Sequence, residues 1–206
     1  MKTILQINSS LNSSDGVSSR LADETVTALR ALHPGAKSIV RDLARDPVPH
    51  LDAERFGAFI ANPEARTPAQ RAAVRYSDAL IDELRSADSI VLGLPMYNFG
   101  VPSPLKAWFD HIARAGITFN YTEKGAVGLL TGKKAYVIAA RGGKYAGTPA
   151  DTQTPYVRNF LAFLGITDVE FVYAEGLALG EATRNEALAA AQGAIRRLAP
   201  QQRMAA

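Results

Sequence analysis

The stretch SIVLGLPMYNFGVPSPLKAWFDHIARAG, residues 89–116, holds the key to the fold. Its first seven residues run almost unbroken in apolar character instead of alternating. A strand reads this way when both of its faces are covered, as in a parallel sheet. A loop of aromatic, amide and glycine residues follows. PLKAWFDHIARAG (104–116) then reads as a helix, with Ser103 expected as its cap and Pro104 at the first helical position. A strand, a loop and a helix in that order make half of a parallel crossover unit.

The same order repeats on both sides. TILQI (3–7) is a short strand ended by Asn8 and serines, and Leu21, Thr25, Leu29 and Leu32 then recur at helical spacing as far as His33–Gly35. KSIVRDL (37–43) is a second strand. Residues 47–67 contain three prolines and read as an excursion with one short helix. A long helix is predicted from Pro68 to about Arg85, burying Val74, Ser77, Ile81 and Leu84. ITFNYTEKGAVGLLTGKK (117–134) reads as a hairpin or irregular crossing and KAYVIAARGG (134–143) as another buried strand. PYVRNFLAFLGI (155–166), DVEFVYAEG (168–176) and Glu181 to Leu198 complete the series as helix, strand and helix. The expectation is an α/β doubly wound sandwich: a five-stranded parallel sheet, order 2-1-3-4-5, with helices on both faces and residues 1–206 in one domain.

Composition narrows the function. Lysine and arginine exceed aspartate and glutamate by three, and the basic residues are scattered, so neither nucleic acid nor an acidic membrane surface is expected as a partner. No cysteine is present, which excludes disulfides, a thiol nucleophile and thiolate metal sites. The opening MKTILQINSS lacks the pattern of a signal peptide, and no apolar run reaches the ~20 residues needed to span a bilayer. A cytoplasmic protein is expected. His33, His50 and His111 are scattered, with no G-x-S-x-G or H-E-x-x-H pattern, and His111 reads as structural.

In a doubly wound sheet, ligands lie outside the carboxyl ends of the strands where strand order reverses. Three unusual loops fall there. LQINSSLNSSDGVSSRL (5–21) ends in Ser18 and Ser19 at a helix start, where free backbone N–H groups, the helix dipole and the hydroxyls of Ser10 and Ser18 suit an anion. The alternative is that Ser18 merely caps the helix. MYNFG (96–100) offers two rings to the crevice, although taken alone Tyr97 and Phe99 read as core packing before ligand contacts. RGG (141–143) lets the backbone approach a flat ligand, or simply turns. No P-loop and no G-x-G-x-x-G fingerprint is present, so Asp42 at the end of strand two reads as a surface carboxylate and a tightly held dinucleotide is not expected. A phosphate cradle, an aromatic wall and an open backbone edge together suit a planar mononucleotide.

Three segments carry a resemblance: SSLNSSDGVSSRL (9–21), the run PMYNFGVPSPLKAWFDHIARAGITFNYTEKGAVGLLTGKKAYVIAARGG (95–143), and TPYVRNFLAFLGITDVEFVYAEG (154–176). Over nearly the whole chain the sequence resembles the FMN-dependent NADH-azoreductases of the flavodoxin-like fold, a family that overlaps with the NAD(P)H quinone reductases. The resemblance implies FMN, with its phosphate on Ser10, Gly16, Val17 and Ser18. It implies isoalloxazine contacts at Met96, Tyr97, Asn98 and Phe99 and at Ala140, Arg141, Gly142 and Gly143. It implies a homodimer in which Tyr121 and Phe163 of one subunit, with Asn98 of the other, form the substrate pocket. Two departures stand out: Asp15-Gly16-Val17 where the family has further hydroxyl or amide side chains, and Ala140 where it often has serine. Asp15 is expected to point to solvent or toward a cation.

The implied reaction is ping-pong: NADH or NADPH delivers a hydride to flavin N5 and a quinone or azo compound then takes two electrons. The cofactor bears the chemistry, so no catalytic side chain is expected and no metal. The alternative is a flavodoxin-type electron carrier without NADH turnover, which would need a charged docking face that this near-neutral chain lacks. Lys144 is the candidate for favouring a 2′-phosphate.

Overall fold

The structure, a computed structural model, describes residues 1–198. Strands β1 (Thr3–Asn8), β2 (Lys37–Asp42), β3 (Ser89–Pro95), β6 (Lys134–Arg141) and β7 (Asp168–Glu175) form one sheet in the order β2-β1-β3-β6-β7. Every pairing in it is parallel. Between β3 and β6 the chain adds a separate antiparallel hairpin, β4 (Phe119–Thr122) and β5 (Gly125–Gly128). The main sheet therefore has the expected 2-1-3-4-5 order, and the crossing segment is a hairpin.

Six helices surround the sheet: α1 (Val17–Leu32), α2 (Ala53–Ile60), α3 (Pro68–Ser86), α4 (Ser103–Ile112), α5 (Gln153–Phe163) and α6 (Glu181–Leu198). The alternating faces of β1 separate two cores. Leu5 and Ile7 pack with Leu80, Leu84, Trp108, Phe109, Val157 and Leu161 of α3, α4 and α5. Ile4 packs on the opposite face with Leu21, Val26, Leu29 and Ile195 of α1 and α6. Each fully buried aliphatic or aromatic side chain here contributes about 1.5–3 kcal/mol relative to exposure, so the two cores fix the helices firmly. His111 is buried, donates or accepts at Nδ1 with the Ala107 carbonyl at 3.0 Å, and sits edge-on to Phe59 and Tyr76. Burial lowers its pKa from 6.5, as expected for a packing residue.

Several local stops differ from expectation. Helix α3 begins with a capping box, Thr67 Oγ1 accepting from the Gln70 amide and Gln70 returning the bond, with Pro68 at its first turn. Helix α2 starts at Asp52, whose carboxylate accepts from the Arg55 amide at 2.8 Å. Ser103, expected as a cap, is instead the first helical residue of α4. The cap position falls to Pro102, whose carbonyl accepts from the Lys106 amide, and α4 closes at Ile112, four residues before the expected end. Thr118 Oγ1 donates to the Ile112 carbonyl and accepts from the Arg114 amide, which turns the chain out of the helix.

The hairpin is fastened at its root. A Cβ on Gly128 would lie 2.0 Å from the Gly165 nitrogen, so the backbones of β5 and the end of α5 touch directly. Leu130 N–H adds a hydrogen bond of 2.9 Å to the Leu164 carbonyl. Gly165 itself has a φ of +96°, a conformation that L side chains rarely adopt.

Candidate active site

Strand order reverses between β1 and β3, and both neighbours of that break end at the same edge: Asn8 pairs with Gly93 and Pro95 with Ala140. The loops after β1, β3 and β6 are therefore neighbours. Direct bonds tie them. Ser9 Oγ donates to the Gly93 carbonyl at 2.7 Å, and the Leu11 amide donates to Tyr97 Oη at 3.2 Å. The Met96 amide donates to the Ala140 carbonyl at 3.1 Å. Residues 10–18, 96–99 and 140–143 converge on one crevice.

The first loop is built around a helix start without a cap. Gly16 holds the cap position of α1 and has no side chain to accept a hydrogen bond. The amides of Val17, Ser18 and Ser19 donate to no acceptor among the described residues. Ser18 and Ser19 are buried, and their hydroxyls find no hydrogen-bond partner. Ser18 is thus not a cap. An unpaired buried hydroxyl costs free energy, and two of them beside three free amides at the positive end of a helix dipole have the chemistry to receive an anion. Close packing leaves no room for a side chain at position 16, where a Cβ would lie 2.2 Å from Ser10 Oγ. Gly93 likewise lets α1 approach β3, since its Cβ would meet the Ser18 carbonyl oxygen at 3.2 Å. Val17 is half-buried at the rim and Asp15 is exposed to solvent, as expected.

Asp42, read from sequence as a surface carboxylate, is instead a strut of this loop. It accepts from Ser13 Oγ and from the Ala44 amide at 3.0 Å, while Arg45 Nε donates to the same Ser13 oxygen at 2.9 Å. A serine-rich loop gave no hint of which distant carboxylate would hold it.

The second loop is a tight turn. Tyr97 and Gly100 exchange backbone hydrogen bonds of 3.3 and 3.0 Å, and Asn98 and Phe99 take φ values of 50° and 64°. Asparagine tolerates this region; for phenylalanine it costs on the order of 1–2 kcal/mol. The turn thrusts Phe99 outward, 53% exposed and edge-on to Tyr145 at 5.5 Å, which rules out core packing for that ring. Met96 and Tyr97 are half-buried and Asn98 is exposed. The amides of Asn98 and Phe99 donate to no acceptor among the described residues. Beside the turn runs a groove of about 500 Å3 lined by Phe99, Val101, Lys106, Thr152 and Tyr156.

The third loop presents the amides of Gly142 and Gly143, also without acceptors among the described residues, while their carbonyls accept from Ala178 and Gly176. A Cβ on Gly142 would meet only the Ala178 methyl, at 3.4 Å, in ordinary van der Waals contact. Ala140 is buried. Arg141 is buried as well, and its side chain leads away from the crevice into ion pairs of 3.0 Å with Asp151 and Glu175. Its guanidinium is therefore not available to a ligand in the crevice. Lys144, expected at the pocket mouth, lies instead in a cleft against α6 with Glu175 and Glu186. Sequence reading missed Tyr145 and Thr152, in the loop after Gly143, and Gln153, the first residue of α5; none carries a motif.

Tyr121 and Phe163 are not at this crevice. Phe163 ends α5, whose other end, Gln153, bonds to the Pro95 carbonyl at 2.9 Å. Ten residues of helix separate them, about 15 Å at 1.5 Å per residue. Both rings pack on Phe119, at 5.3 and 4.2 Å, and Tyr121 is 76% exposed.

A family profile described as Flavodoxin-like fold matches residues 2–199. The chain belongs to this flavodoxin-like family. Among its members, the chain is 57% identical over 195 residues to an FMN-dependent NADH:quinone oxidoreductase of Burkholderia lata, covering 95% of this chain and 98% of that one. It is also 57% identical over 192 residues to a protein of the same name from Alcanivorax borkumensis, covering 93% and 97%. Of solved flavodoxin-like structures, an azoreductase from Bacillus anthracis superposes with a TM-score of 0.88 at 26% identity, covering 96% of this chain and 98% of that one. An FMN-dependent NADH-azoreductase of the same organism, in complex with FMN, gives 0.85 at 29%, covering 97% and 100%. No helix among the described residues is long and apolar enough to cross a membrane.

Proposed function

We propose that this protein is an FMN-dependent NADH:quinone oxidoreductase that also reduces azo compounds. The observation that carries the reading is the uncapped start of α1, where the buried hydroxyls of Ser18 and Ser19 and three free amides lie beside a glycine that admits no Cβ. That donor set fits a phosphate without any lysine, and the relatives at 57% identity bear the name of an FMN-dependent enzyme.

The remaining residues fit the rest of FMN. Ser10, Gly16, Val17 and Ser18 would hold the phosphate end. Free amides at Asn98, Phe99, Gly142 and Gly143 would donate to the acceptor edges of the ring, with Met96, Tyr97, Ala140 and Arg141 contributing backbone. When bound, FMN supplies the redox chemistry, accepting a hydride from NADH and passing two electrons to the acceptor. The protein binds and orients it, and Phe99 with Tyr145 gives an apolar wall on which a planar acceptor stacks.

The homodimer belongs to the same reading. Tyr121 and Phe163 cannot reach their own crevice, yet Tyr121 stands exposed on a rigid hairpin, and the groove beside Phe99 is apolar. A second copy of the chain would bring one to the other. The same reading places the enzyme in the cytoplasm and its catalysis in a ping-pong sequence.

A visible absorbance scan of the purified protein and steady-state NADH oxidation with menadione test the proposal together. Bound FMN with turnover, and parallel double-reciprocal lines, are expected. FMN without NADH turnover would make the protein an electron carrier, and a colourless protein that takes up no FMN would refute the reading outright.

A further inference from the structure

Among the described residues, one of the largest fully buried side chains is charged, and the proposed reaction does not use it. Arg141 is 1% exposed. Its Nε donates to Gln153 Oε1 at 3.3 Å, Nη1 to Glu175 at 3.0 Å, and Nη2 to Asp151 at 3.0 Å and Thr154 Oγ1 at 2.9 Å. The guanidinium also lies 5.3 Å from the Tyr173 ring centroid. A planar fork of five fixed donors serves these four partners at once, one more than the three donors of an ammonium could.

The partners hold two different loops. Gln153 passes its own amide hydrogens to the Pro95 carbonyl at 2.9 Å, at the end of β3, and to the Gly100 carbonyl at 3.1 Å, the closing residue of the Tyr97–Gly100 turn. Glu175 accepts from the Tyr145 and Ala146 amides, both at 3.0 Å, the far end of the loop that begins at Gly142. Arg141 is thus the common anchor between the loop bearing the free amides of Asn98 and Phe99 and the loop bearing those of Gly142 and Gly143. With Asp151 and Glu175 both facing it, removing the charge leaves two carboxylates unpaired in a buried site.

We propose that Arg141 is a positioning residue, which through Gln153 and Glu175 holds the 96–100 and 142–146 loops at one fixed separation. Resting on the flavin reading above, the consequence is that FMN binds a preformed site whose two donor loops cannot drift apart. A ring held by donors on separate loops gains from such fixing, because the loops need not be ordered when it binds. A role confined to overall stability would leave the affinity of the folded protein unchanged.

The test uses Gln153→Met, which keeps the guanidinium and removes both side-chain bonds from Gln153 to the Pro95 and Gly100 carbonyls while the Thr152 hydroxyl stays on the Phe99 carbonyl, together with Arg141→Lys and the double variant. FMN affinity of the flavin-stripped protein is measured by fluorescence quenching, and amide hydrogen exchange is followed over residues 96–100 and 142–146. Gln153→Met should weaken FMN binding about tenfold, roughly the effect of one hydrogen bond to a charged group, and speed exchange in the 96–100 segment. Arg141→Lys should speed exchange in both segments, and the double variant should bind FMN no worse than Arg141→Lys alone, because both changes cut one tie. Unchanged affinity and exchange in Gln153→Met would overturn the proposal, and this variant decides alone if Arg141→Lys fails to fold. Independent, multiplying losses in the double variant would overturn it too. If the wild-type protein takes up no FMN, the flavin reading falls, while the exchange arm still reports on the tie.

Discussion

Deleting the Ser18 hydroxyl should move two measurable quantities in opposite directions. In the flavin-free protein this hydroxyl is buried, 1% exposed, and without a partner, so Ser18→Ala removes an unsatisfied polar group and adds none. Leaving a buried hydroxyl unpaired costs about 1–3 kcal/mol, and relieving part of that should stabilise the stripped protein by about 1 kcal/mol. For a chain of this size the melting temperature would rise by about 2–4 °C. On the proposed reading the same hydroxyl would donate to the FMN phosphate, and losing such a bond would cost about 1.5–3 kcal/mol, a roughly ten- to hundred-fold weaker affinity. Urea unfolding of the stripped protein and an FMN fluorescence titration measure both. A capping serine would behave in the opposite way, since its loss destabilises by about 1 kcal/mol and leaves ligand affinity alone. If the alanine variant proves less stable and binds FMN as tightly as wild type, the anion-site reading of this helix start is wrong.

Other perturbations probe the remaining parts. Gly142→Val should leave the flavin-free fold intact, because its Cβ meets only Ala178 at 3.4 Å, yet reduce FMN content after gel filtration; a fully yellow variant would show that the ring lies elsewhere. Tyr121→Ala and Phe163→Ala should each raise KM for bulky acceptors with little effect on FMN retention, and unchanged kinetics with every acceptor would remove both from the pocket. His111 is held neutral by burial, its pKa lowered from 6.5, so the unfolded chain binds more protons and stability falls as the medium is acidified through that region. Urea midpoints at roughly pH 7.5 and roughly pH 5.5 should differ less in His111→Gln than in wild type.

What could be read from sequence divides along physical lines. Runs such as SIVLGLP and KAYVIAAR declared themselves because a strand covered on both faces needs consecutive apolar residues, while the sheet order was that of the flavodoxin-like class of doubly wound folds. The convergence of the three loops followed in turn, since it depends on which strand ends are neighbours. Side-chain direction was not legible. Arg141 reads only as part of an open backbone edge or a turn until Asp151, Gln153, Thr154 and Glu175 arrive from α5, the loop before it and β7, none within nine residues of it. Phe99 looks like core until positive φ at two successive residues turns it outward. Ser18 looks like a cap until Gly16 is seen to hold that position, and Lys144 faces α6 because its loop is drawn toward Glu175.

The glycine contact at the root of the β4–β5 arm sets rules for anyone rebuilding this molecule. Because Gly128 and Gly165 meet backbone to backbone, the arm is an outrigger bolted to the frame, and its entropy is already lost when the chain folds. Extra residues grafted at the Glu123–Lys124 tip should be tolerated, whereas a single methyl group at the bolt would push α5 off its seat.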